Sequence, residues 1–116
     1  MHQCVDVLAK NLNLSSYQTT KLKSRYDMYN ISKLEKRGGV LFAPYQSSGV
    51  LGWFTRILFG VRADLIGENK VLLRAQRNIK FCANGYHSVR VGRYTYYADA
   101  TGNVVSRSQF IENASR

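Results

Sequence analysis

Apolar positions along the chain follow two different periods. In the first third they recur every three or four residues: Val5, Leu8, Ala9 and Leu12 share one helical face that ends near Asn13. Ser15 then opens Ser-x-x-Gln with Gln18, a capping box that satisfies orphan amide donors and predicts a second helix. Leu22, Tyr26 and Tyr29 continue the spacing, while Lys21, Lys23 and Arg25 occupy other positions. A second box, Ser32-x-x-Glu35, predicts a short helix that stops at Gly38-Gly39, with Lys36 and Arg37 at its negative end.

Residues 40–45 read as a strand stopped at or just after Pro44. Val50, Leu51, Trp53, Phe54, Ile57, Leu58 and Val61 then fit an apolar helix face, although Gly49, Gly52 and Gly60 leave a strand pair as the competing reading. Gly67-Glu68-Asn69 reads as a turn. From residue 70 the period becomes two, with strands expected at 71–76, 79–83, 86–91, 93–98 and 103–109. Asn84-Gly85 supplies the strongest hairpin signal, since both residues tolerate positive φ. The pattern predicts an α+β fold, N-terminal helices packed on a C-terminal antiparallel meander of four to five strands.

Composition narrows the class. At 116 residues, 45% hydrophobic with one proline, the chain suits one domain and can fill a small core. The expected division is a helical basic part at 1–39, an apolar core segment at 40–69 and a basic sheet at 70–116. No apolar run reaches the roughly 18 to 20 residues a membrane span needs, and no secretory leader is readable. Cys4 and Cys82 stand alone, without metal-ligand or disulfide-framework spacing, which points to reduced thiols in a cytoplasmic compartment.

Charge changes the picture most. Seventeen Lys and Arg against seven Asp and Glu give +10, split as +4 over 1–39, zero over 40–69 and +6 over 70–116. Such a field attracts polyanions, so nucleic acid is the expected partner. Strand alternation suggests a sheet face on which Lys80, Arg90, Arg93 and Arg107 contact phosphates beside stacking platforms at Tyr94 and Tyr96. The helical cations Lys21, Lys23 and Arg25 form a second candidate surface.

Leu8-Ala9, Asn13-Leu14 and Leu22 have spacings similar to a helix-turn-helix, with Asn13 where that motif usually places glycine. The resemblance covers about 20 residues. It implies that Ser16, Tyr17, Gln18 and Lys21 begin a recognition helix; Thr19 departs from the pattern, standing where a buried aliphatic is expected.

Chemistry is sparse. No phosphate-binding loop, nucleophile elbow or metal cluster is present, so no cofactor and no metal is expected, nor a small-molecule substrate. Helices followed by a basic sheet carrying His87 resemble the layout of small ribonucleases and ribonuclease toxins. That resemblance implies His87 as base, Arg90 and Arg93 as phosphorane stabilisers, and Glu68 or Glu112 as the carboxylate. The apolar stripe 49–61 is expected in the core; exposed, it would serve a protein partner or, less in keeping with the rest, a membrane surface. The resulting expectation is a non-catalytic nucleic-acid-binding protein with a regulatory, packaging or assembly role. A structural subunit of a larger particle is an alternative.

Overall fold

A computed structural model describes residues 2–46 and 49–114, without the side chains of residues 2–4, 56 and 59. The chain runs as two helices, a four-stranded sheet with a third helix inserted, a second four-stranded sheet and a closing helix, an α+β fold.

The N-terminal pair forms for the reasons its sequence suggests. Helix α1 (His2–Asn11) ends where Asn13 adopts φ 54°. The Leu14 amide reaches back to the Ala9 carbonyl (2.8 Å) and the Asn13 amide to Lys10 (3.3 Å), the paired bonds of a left-handed helix stop. Helix α2 (Ser16–Ser24) carries the reciprocal cap: the Gln18 amide donates to Ser15 Oγ at 3.2 Å, and Ser15 N–H to Gln18 Oε1 at 3.0 Å. Val5 and Leu22 then pack with Tyr29, Leu41, Ala43, Tyr45 and Ile66 as a core between helices and sheet.

That first sheet is an antiparallel meander of β1 (Glu35–Arg37), β2 (Val40–Pro44), β3 (Ala63–Ile66) and β4 (Val71–Gln76). Here the helix expected from Ser32-x-x-Glu35 is replaced. Residues 31–33 make one 3-10 turn, and Glu35 to Arg37 pair with Phe42 to Val40 across a two-residue loop. Gly38 and Gly39 both have positive φ (56° and 85°), which suits a tight hairpin better than a helix stop. Strand β3, buried at all four positions, was not expected from the pattern at all.

The second sheet, β5 (Ile79–Phe81), β6 (His87–Val91), β7 (Tyr94–Ala98) and β8 (Val104–Val105), is also an antiparallel meander. Asn84 and Gly85, at φ 61° and 80°, turn the chain between β5 and β6 as expected. The strand expected at 103–109 shrinks to the two residues of β8. Ser106 caps a helix instead, α4 (Arg107–Asn113), by accepting the Gln109 amide at 3.1 Å. Phe110 of α4 is buried against Tyr97, with ring centroids 4.8 Å apart.

The sheets meet where Phe42 stacks on Phe81 (5.6 Å, 14°) and Arg37 donates to the Phe81 carbonyl at 2.9 Å. Backbone approach is close there: a Cβ on Gly38 would stand 2.1 Å from the Asn84 carbonyl carbon. Helix α3 (Gly49–Phe59), inserted between β2 and β3, forms as the apolar spacing predicts. Its expected place in the core is overturned. Val50, Leu51, Trp53, Phe54, Ile57 and Leu58 are all 49% or more exposed, because the core is already filled by residues from α1, α2 and the first sheet.

Candidate nucleic-acid interface

Register in the second sheet creates a projecting arm. Strand β5 pairs with β6 only as far as Val89, and β8 pairs with β7 only at Tyr97 and Ala98. Between those limits β6 and β7 have only each other, paired as Arg90↔Thr95 and Val91↔Tyr94. Every residue from Arg90 to Tyr96 is therefore exposed. Gly92, at φ 62°, makes the turn at the tip.

Directly paired residues share a sheet face. Val89, Val91, Tyr94 and Tyr96 thus lie on one side of the arm, and Lys80, Ser88, Arg90 and Thr95 on the other. The single face of tyrosines and cations expected from the sequence is split in two. Arg90 is nevertheless drawn toward the tip, where its Nε donates to the Gly92 carbonyl at 3.4 Å, beside Arg93. Tyr94 is 70% exposed and Tyr96 48%, so two phenol rings stand in solvent on one side, while exposed Arg90 and Arg93 flank the turn at Gly92. Lys80 is exposed on β5, and Arg107 is exposed in the first turn of α4, on a helix rather than a strand.

The helical cations are differently employed. Lys21 lies 5.5 Å from the Tyr17 ring centroid, and Lys23 pairs with Asp6 at 3.1 Å. Arg25 turns inward, donating to Tyr45 Oη at 2.5 Å with its Nη1 3.5 Å from Asp64. Gln18, placed by the helix-turn-helix resemblance at a recognition surface, is fully buried. Its Nε2 donates to the carbonyls of Gly39 (2.8 Å) and Ile66 (2.9 Å), so it fastens α2 to the sheet. Asn13 does supply the left-handed turn such a motif needs.

His87 is 2% exposed, and its Nδ1–H donates to the Gly85 carbonyl at 3.1 Å. Burial holds the imidazole below its ordinary pKa, a pull that the Gly85 hydrogen bond and the nearby Asp99 carboxylate oppose. A ribonuclease base has to reach a ribose hydroxyl, and this ring faces the interior. Asp99 is spent on its own turn, accepting from Thr101 and Asn103. Cys82 is free and half-buried, with its Sγ directed at the Lys80 carbonyl. No group of His, Cys, Asp and Glu that could hold a metal occurs among the described residues.

Sequence reasoning missed the densest polar cluster. Asp64, fully buried on β3, accepts from Tyr29 Oη (2.6 Å), Tyr45 Oη (2.8 Å) and the Ala75 amide (2.7 Å). Arg74 approaches to 3.9 Å, and the Arg62 guanidinium lies 5.2 Å from the Tyr45 ring centroid. Burial and the Asp64 hydrogen bond raise both phenols above their ordinary pKa. The available signal was one acid inside an apolar run, Ala63-Asp64-Leu65-Ile66, directly after Arg62.

No family model, curated protein or solved structure matches the chain.

Proposed function

We propose that this chain is a non-catalytic binder of single-stranded nucleic acid, and that the β6–β7 arm is its principal contact. The observation that carries the reading is the seven-residue exposed stretch Arg90–Tyr96, holding two arginines and two tyrosines. Unpaired bases stack on Tyr94 and Tyr96, because every base has a π-face; phosphates meet Arg90 and Arg93 at the turn. Lys80 extends the cationic side, and the chain's +10 charge speeds encounter. Duplexes offer fewer free base faces to the tyrosines, so single strands are favoured over duplex of the same length.

Tyr94→Ala with Tyr96→Ala tests the stacking. Both rings stand in solvent, so the fold should survive, while affinity for a single-stranded oligonucleotide falls about 10- to 100-fold and duplex binding changes little. Equal affinity of the parent and the double variant for single strands overturns the reading.

A further inference from the structure

We propose that α3 is an interfacial anchor, lying in the headgroup region of an anionic lipid bilayer with its apolar face inserted. At 100° per residue, Trp53, Ile57, Val50, Phe54, Leu58 and Leu51 span an arc of about 160°. All six side chains are 49–81% exposed, while Gly52 and Thr55 on the opposite arc are partly buried. Among the described side chains the helix therefore keeps only Gly52 and Thr55 toward the protein and turns this six-residue apolar arc outward. That orientation is the reverse of a core-facing helix, and it requires an apolar medium outside the chain to be favourable.

Its length limits the medium's geometry. Eleven residues rise only about 16 Å, half of a bilayer's hydrocarbon core, and no helix among the described residues is long and apolar enough to cross a membrane. A helix lying in the interface plane fits, and Trp53 and Phe54, with centroids 5.0 Å apart, are the ring types that settle at headgroup depth.

Charge selects lipid over a second copy. No acid occurs between Glu35 and Asp64, and Asp64 is buried among tyrosines and arginines. Arg56 lies within α3, and exposed Arg62 and Lys33 lie close to its base; Val61 and Lys33 line one cleft of about 400 Å³ with Glu35, whose carboxylate is paired with Arg37 at 3.0 Å. Two copies of a +10 chain repel, whereas an anionic surface is complementary to the basic flanks of the apolar arc.

Trp53 is the sole tryptophan, so selectively excited tryptophan fluorescence reports on α3 alone. With vesicles of roughly 7:3 phosphatidylcholine to phosphatidylglycerol, its emission should shift to shorter wavelength and become quenchable by acyl-chain-brominated lipid. Leu51→Glu with Leu58→Glu should weaken partitioning at least about a hundredfold with an unchanged far-ultraviolet spectrum, both positions being exposed. Arg90→Ala with Arg93→Ala should keep the Trp53 shift, separating this surface from the nucleic-acid arm. Vesicle binding without a Trp53 shift would mean adsorption through cations only, and overturns the proposal. So does a shift that appears without vesicles and grows with protein concentration, which assigns the face to a second copy.

Discussion

The Tyr29 hydroxyl donates a 2.6 Å hydrogen bond to the carboxylate of Asp64, 35 positions away in the chain, and both side chains are buried. This bond joins the segment after α2 to the centre of the first sheet. The same carboxylate caps the Ala75 amide, which a register shift between β3 and β4 leaves outside the ladder, with Ala75 at φ 51°. One buried charge thus closes three backbone and side-chain accounts at once.

Asp64→Ala should therefore cost about 3–5 kcal/mol, since it strands two buried phenols, an amide and the inward-facing Arg25. Tyr29→Phe removes one donor from a carboxylate that keeps its other partners, and should cost about 1–2 kcal/mol. Urea denaturation of the two variants checks the order; similar losses would contradict the network.

Stability should also fall between pH 7 and pH 5, and His87 should be the cause. Burial lowers the folded-state pKa of this base beneath its ordinary 6.5. Below that value the unfolded chain binds a proton that the folded chain does not, so acid favours unfolding. The loss begins near pH 6.5 and ends below the folded pKa, at up to about 1.4 kcal/mol per pH unit. Denaturation midpoints across this window should slope in the parent and flatten in His87→Gln. An unchanged slope in the variant assigns the titration elsewhere.

Gln18→Ala separates packing from base reading. The buried amide satisfies two carbonyls, from Gly39 and Ile66, so its loss should cost about 2–4 kcal/mol. Under folding conditions the variant should bind nucleic acid like the parent. A change in sequence preference with stability intact would restore the recognition-helix reading.

What was legible in the sequence was local. Ser15 and Gln18 announce their cap, Asn13 its turn and Asn84-Gly85 theirs, because each mechanism acts within a few residues. Ser32-x-x-Glu35 carries the same local signal, yet the strand pairing of Glu35 with Phe42 overrides it, a tertiary preference invisible in a short window. Ser106-x-x-Gln109 was readable by the rule applied at Ser15, but period-two alternation just before it masked the helix. At the arm, the sequence puts Arg90 and the exposed tyrosines on one face, and the strand register separates them. Which side Tyr94 and Arg90 occupy depends on register, and a shift of one residue reverses it. The Asp64 cluster draws on four separate segments, so no pattern along the chain could assemble it.

Salt-resolved binding to a single-stranded oligonucleotide, parent against Arg90→Ala with Arg93→Ala, tests the central claim most directly. Between about 50 and about 300 mM salt, log affinity of the parent should fall linearly with log salt, and the double variant should lose about 1.5 from that slope as two phosphate contacts vanish. Absent binding at low salt, or a slope and affinity unchanged by the two substitutions, contradicts the account.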